Sequence, residues 1–504
     1  MTTDQLQSLN SANIAALTTT QAGALSSAQV ATLSSAELNS FSTAEIAAIN
    51  VTALAGISST TLAGLSTANF AALSAAQIAK LSTTQISAVT SAQVDVLTTG
   101  QIAGLTAAQV KTITTTALSG LDTTQVAAFA PTLIAAMTTD QLQSLNSANI
   151  AALTSKQASA LTSAQVATLS SAELNTFDSS EIKALTAAAL AGMTTDAVAG
   201  LSTAALTALS ATQVAKLSTT QIASLKSAQI RELTTDQVKA LTAAQVAAIT
   251  TASIANMKSE QVVALSNAQL VALSTTQLQA FASANIAALT TTQAGALTSA
   301  QVATLDSAEL NSFSTAEIAA INVAALSGIS STTLASLSTA NFAALSAAQI
   351  AKLSTTQIGA VTSAQVDVLT TGQIAGLTAA QVKTITTTAL SALDTTQVAA
   401  FTPALIAAMT TAQFESLSSN NIAALTTTQA AALTSAQVAT LNSAELNSFA
   451  TAEIAALAIP ALAGLTTTAI VGLTDATLNS LSSKQVQALN DQQVAAVMTA
   501  YNNV

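Results

Sequence analysis

A chain of 504 residues that is half apolar but has no Cys, no His, no Trp and one Tyr lacks both the disulfides of a stapled secreted domain and the imidazoles and thiols of most catalytic and metal sites. The net charge of -11 is spread over that whole length, with only 7% of residues charged, so no field strong enough to hold nucleic acid is expected. Ser, Thr, Gln or Asn interrupts the apolar residues every few positions, and no run reaches the roughly 18 apolar residues of a membrane-spanning helix.

From Met1 onward the sequence reads in units of eight, such as Leu81-Ser-Thr-Thr-Gln-Ile-Ser-Ala88, and 63 of them follow one another without an insertion. With positions labelled a to h, a is a large apolar residue in all 63 units and f is apolar in 62. Position b is Ser, Thr, Asn or Asp in 56 units and e is Gln or Glu in 41. One continuous helix does not suit this pattern, because apolar spacings of five and three average four residues and the stripe would drift about 80° per octad. A strand suits it no better, because residues an odd number apart face opposite sides of a sheet.

A short helix restarted in every octad accounts for each position. The residue at b is the N-cap and e is N3, so the pair forms a capping box, and a and f are the N′ and N4 residues of a hydrophobic staple. Pro131 and Pro403 at c and Pro460 at d fall in the first turn, where Pro is tolerated. Ten of the fifteen Gly fall at h, including Gly56, Gly104, Gly192 and Gly472, where a left-handed residue would close the preceding helix. Two large side chains per octad stabilise by roughly 4–6 kcal/mol, against a backbone ordering cost of about 8–16 kcal/mol. An octad therefore folds only by stacking on others. The expected fold is an all-α solenoid of very short capped helices, one per eight-residue repeat, with a β-solenoid as the alternative.

In chain order, a longer period of 17 octads, begun by Met1, Met137, Leu273 and Met409, divides the sequence into four blocks. Block 1 covers residues 1–136, block 2 residues 137–272, block 3 residues 273–408 and the shorter block 4 residues 409–504, all expected to continue one solenoid. Ala22, Ala158, Ala294 and Ala430 mark the period, as do the Glu pairs 37/45, 173/181, 309/317 and 445/453, all at e. Because 17 is prime, coils of exactly two, three or four octads would fall out of step from block to block, so either the octads are equivalent or their number per turn is not whole. Phe41, Phe70 and Phe342 at a and f read as core fillers. Lys216, Lys226, Arg231, Lys239 and Lys258 cluster in block 2 but are interleaved with Glu232, Asp236 and Glu260, the pattern of a solvated mixed-charge face. The Met1 end is expected to expose an apolar core edge and to associate end to end. The degenerate last octad, Val497 to Val504 with Tyr501, Asn502 and Asn503, reads as a cap.

No catalytic, cofactor-binding or metal-binding residue is assigned. The Glu residues at e fit capping, the Ser and Thr hydroxyls lack a positioned base, and no phosphate loop, calcium motif or zinc spacing occurs. In its Leu-Ser/Thr-x-x-Gln-Ile/Val octads the chain resembles the Ala/Thr/Ser-rich octapeptide-repeat regions of large bacterial cell-surface proteins. That resemblance implies a structural, non-enzymatic role as a rod, filament, scaffold or adhesive stalk, extracellular or at the cell surface. No cleaved signal peptide is recognisable, and a cytoplasmic location stays open. Two other readings remain: a Thr/Ser face, including Thr18–Thr20 and Thr114–Thr116, that recognises a repetitive ligand such as glycan or ice, and an intracellular protein-binding solenoid. A surface polysaccharide or protein partner is compatible with the first.

Overall fold

The computed structural model of the protein describes residues 1–502; Asn503 and Val504, part of the expected terminal cap, lie outside the described residues. Among these residues there are 59 α-helices and three 3-10 helices and no strand. Each octad supplies one helix of four to six residues, and only the last helix, Asp491–Asn502, runs through two. The expected all-α architecture of one short helix per repeat is therefore the fold, and the β-solenoid is excluded.

The helix boundaries follow from the capping chemistry. In Ala107–Val110, Thr106 at b has extended backbone (φ -99°, ψ 155°) and is the N-cap. Its hydroxyl accepts from the Gln109 N–H at 3.3 Å, while Gln109 Oε1 accepts from the Thr106 N–H at 2.8 Å. Both halves of the box form, satisfying two of the four N–H groups that a helix start leaves without partners. The helices end at f, g or h, before the following a residue returns to extended geometry, as Phe41 does at φ -71°, ψ 144°. Pro131 and Pro403 open their helices, where a missing N–H removes no bond. The three 3-10 helices, Ala53–Gly56, Ala325–Gly328 and Ile459–Gly464, occupy the same octad of blocks 1, 3 and 4. In the first two, Asn50 and Asn322 bond the N–H two residues on instead of three, which tightens the turn.

The chain divides into two compact units, Met1–Met257 and Lys258–Val504, built in the same way. Within each, a helix packs against the helix three octads away, for example Thr19–Gly23 against Thr43–Ala48 and Thr291–Ala296 against Thr315–Ala320. The a and f side chains fill the interior between them. Phe70 and Phe342 are 1% exposed and Phe41 is 3% exposed, as core fillers should be.

The glycines at h are a correction to the sequence reading. No described glycine has positive φ; Gly104 sits at φ -81°, ψ -10° and Gly472 at φ -90°, ψ 5°. Their cause is proximity. A Cβ at Gly56, Gly192, Gly328 or Gly464 would overlap the carbonyl oxygen of Ser27, Ser163, Ser299 or Ser435, each in the third octad before it. Glycine at h lets two coils touch backbone to backbone.

The ends also differ from expectation. Leu6 and Ile14 are buried, and among the first octads Met1 is the exposed large apolar side chain. The f side chains Val486 and Val494 are exposed instead, as are Met498 at b and Tyr501 at e. The last helix continues through Val497 and does not restart, so the apolar edge lies where the sequence suggested a cap.

Candidate functional site

Position e carries the chemistry that the fold concentrates. Every buried polar side chain among the described residues stands there, mostly Gln, with Asn at Asn69, Asn149, Asn285, Asn341 and Asn421, Ser253 and Thr477. A buried amide must fill one acceptor and two donor roles. Gln109 does so: Oε1 serves the local capping box, and Nε2 donates to Ile78 O and Leu81 O, both at 2.8 Å. These carbonyls belong to positions f and a, 31 and 28 residues earlier. Gln141, Gln157, Gln381 and Gln413 repeat the arrangement on their own preceding coils. A seam of amide bridges thus joins successive coils within each unit. Its step of 28 residues is three and a half octads, the non-whole number that the 17-octad period allowed.

In four octads where e cannot close its own box, a second residue takes over. Asn69 is too short to reach the Ser66 N–H, which instead donates to Asn39 Oδ1 at 2.7 Å, while Asn39 Nδ2 donates to Gly64 O at 2.8 Å. The same clamp joins Asn175 to Ser202, Asn311 to Ser338 and Asn447 to Thr474, where e is Ala205, Asn341 and Thr477. Sequence reasoning missed both bridges. Their signals were present: an excess of Gln over Glu at e, and an Asn at g recurring four octads before each of these non-Gln residues.

The eight Glu at e lie outside this pattern. Seven cap as expected, accepting the N–H of Ser34, Ser42, Ser170, Asp178, Asp306, Ser314 and Asn442. Glu453, whose N-cap is Ala450, does not cap; it accepts the Thr427 hydroxyl at 2.7 Å. A carboxylate has no donor for the preceding coil, and all eight Glu are half-buried where most Gln at e are fully buried. Beside Glu445 this leaves a cavity of about 140 Å³, lined also by Phe414, Glu415 and Leu417. Asp178 is held below the usual carboxylate range by the backbone N–H groups of Glu181 and Ser180, whereas burial pushes Glu181 up.

Of the clustered cations, Lys216, Lys226, Arg231 and Lys239 are exposed in the first unit and Lys258 is half-buried in the second. Thr18–Thr20 and Thr114–Thr116 are exposed. Among the described residues no three Asp or Glu gather as a metal site, and no helix is long and apolar enough to cross a membrane.

Six segments, 1–35, 134–171, 214–251, 271–307, 350–379 and 406–443, match the family described as the ALTTAQ repeat. This is a repeat protein. The letters ALTTAQ spell positions h to e of the octad, as in Ala16-Leu17-Thr18-Thr19-Thr20-Gln21, so the matched pattern ends on the seam amide. The ALTTAQ matches cover less than half of the chain, although the octads between them fold in the same way. No curated protein matches the sequence.

Proposed function

We propose that this chain is a non-enzymatic structural repeat protein, a rod, filament component, scaffold or adhesive stalk displayed outside a bacterial cell. One observation carries the reading: the buried polar groups at e are engaged in capping and in bridging coils, which leaves Ser, Thr, Ala and short polar residues as the presented surface. Such an interior serves mechanical continuity. The seam is also directional, with amide donors on one side of a coil and carbonyl acceptors with apolar f side chains on the other. Such a directional seam supports end-to-end association of copies, the donors of one meeting the acceptors of the next. Sizing and electron microscopy over a wide concentration range test this: particles lengthen with concentration if copies join, and uniform single particles throughout would remove the filament reading.

A second reading, recognition of a repetitive ligand such as glycan or ice, is supported by the exposed Thr residues at c and d, Thr19, Thr20, Thr115 and Thr116, which no capping box uses. Glycan-array binding or thermal hysteresis would favour it, and the absence of both counts against it. Localisation of a tagged chain separates either from an intracellular protein-binding solenoid: surface labelling of intact cells is expected, and a purely cytoplasmic signal would overturn the surface role.

A further inference from the structure

We propose that the seven capping glutamates at e make the coil-to-coil seam acid-responsive: when protonated, each donates its O–H to a carbonyl of the preceding coil and closes a bridge that is open while the carboxylate is ionised. The geometry follows from the neighbouring octads. At e, Gln uses one branch atom to accept the N-cap N–H and the other to donate to the carbonyls at f and a. Glu37, Glu173 and Glu309 use Oε2 for the first task, and their second oxygen has no proton for the other. The a carbonyls that a Gln would bridge, of Leu9, Leu17, Leu145, Leu153, Phe281, Leu289, Leu417 and Leu425, accept no hydrogen bond from the described residues. Ionised, Glu faces acceptors with an acceptor, which explains why these side chains are half-buried and why a cavity opens beside Glu445. Protonated, a carboxylic acid carries one donor and one acceptor, the combination that the Gln amide supplies in the bridging octads.

The surroundings leave this proton few competitors. The helices packed against the glutamate helices bring Lys156 against the Glu181 helix, Asp196 against the Glu173 helix and Asp475 against the Glu453 helix, while Glu415 lines the cavity with Glu445. On their own elements stand Asp178 and Lys183 beside Glu181, and the cap Asp306 before Glu309. The sign is fixed by which form is bridged: the folded state gains a bond only when Glu is protonated, so this contribution is full in acid and is lost as pH rises through the carboxylate range. Burial pushing Glu181 upward acts in the same direction. Asp178, held down by backbone N–H groups, acts in the opposite direction, its contribution being lost as pH falls. Because the glutamates occur in pairs on consecutive octads and recur every 17, acid would tighten the array at spaced points rather than throughout.

The test compares three full-length chains: wild type, a variant with all eight Glu at e changed to Gln, and a charge-matched control with Asp4, Asp95, Asp140, Asp196, Asp236, Asp367, Asp475 and Asp491 changed to Asn. At about pH 7 the Gln variant should melt higher than both others, by about 2–4 °C or more. On acidification to about pH 4 the wild type and the control should close that gap. A gap that stays constant, or a control that behaves like the Gln variant, would overturn the proposal. Should the eightfold variant not fold, Glu309→Gln with Glu317→Gln is read by hydrogen exchange in the helices Ser307–Ser312 and Thr315–Ala320. Protection that rises there at neutral pH, and rises in the wild type only on acidification, is the expected result, and equal protection in both chains at both pH values would overturn it.

Discussion

Gln109 shows what one side chain must do in this molecule: it is 2% exposed, its oxygen closes a capping box and its nitrogen holds two carbonyls of another coil. Gln109→Met keeps the volume and removes four hydrogen bonds, leaving the Leu81 carbonyl and the Thr106 N–H without partners while Ile78 O keeps the Leu81 N–H, a loss of about 1–3 kcal/mol for each group left bare. Hydrogen exchange should show the loss in the helices Ala75–Lys80 and Ala107–Val110. Glycine makes the same point by contrast. Gly56→Ala pushes a Cβ into the Ser27 carbonyl and should destabilise its neighbourhood by about 1–3 kcal/mol. Gly100→Ala, with only Thr98 Oγ1 at 4.0 Å, should stabilise its helix by about 0.5–1 kcal/mol. Nothing in the structure explains why Gly100 and Gly372 are glycine. The sequence pointed to h as a special position but for the wrong reason, because a contact made three octads away leaves no local trace.

At the level of the element, the capping box was fully legible, since Thr106 and Gln109 are three residues apart and their roles are local. The clamp between Asn311 and Ser338 was not, although its logic is written in the sequence once the coil length is known. Asn341 cannot reach the Ser338 N–H, and Asn311 does. A double-mutant cycle tests that substitution of roles. Asn311→Ala alone should cost about 0.5–1.5 kcal/mol in the helix Thr339–Ala343, the net worth of the exposed hydrogen bond that it removes. In a chain that also carries Asn341→Gln, whose longer amide can close its own box, the same change should cost much less. Additive losses, read by hydrogen exchange of that helix, would mean that Asn311 serves some other purpose.

At the scale of the whole molecule, the octad count and the 17-octad period were readable from the sequence, and they left two possibilities, equivalent octads or a coil that is not a whole number of octads. The coil length itself was not readable, because nothing within an octad encodes which distant carbonyl its amide will meet. The seam supplies the number, 28 residues, and the glycines at h agree with it to within one residue, from an independent set of backbone contacts. This winding is the claim from which the seam, the clamps and the acid response all follow. Because the chain has no cysteine, an introduced pair can measure it. Ala347→Cys with Gly376→Cys places two Cβ atoms about 3.1 Å apart across neighbouring coils, close to the spacing that a disulfide bridges. Ala347→Cys with Thr371→Cys joins equivalent positions three whole octads apart. The winding predicts rapid, intramolecular disulfide formation in the first pair and little in the second, whereas efficient bridging of the second pair with none in the first would contradict it.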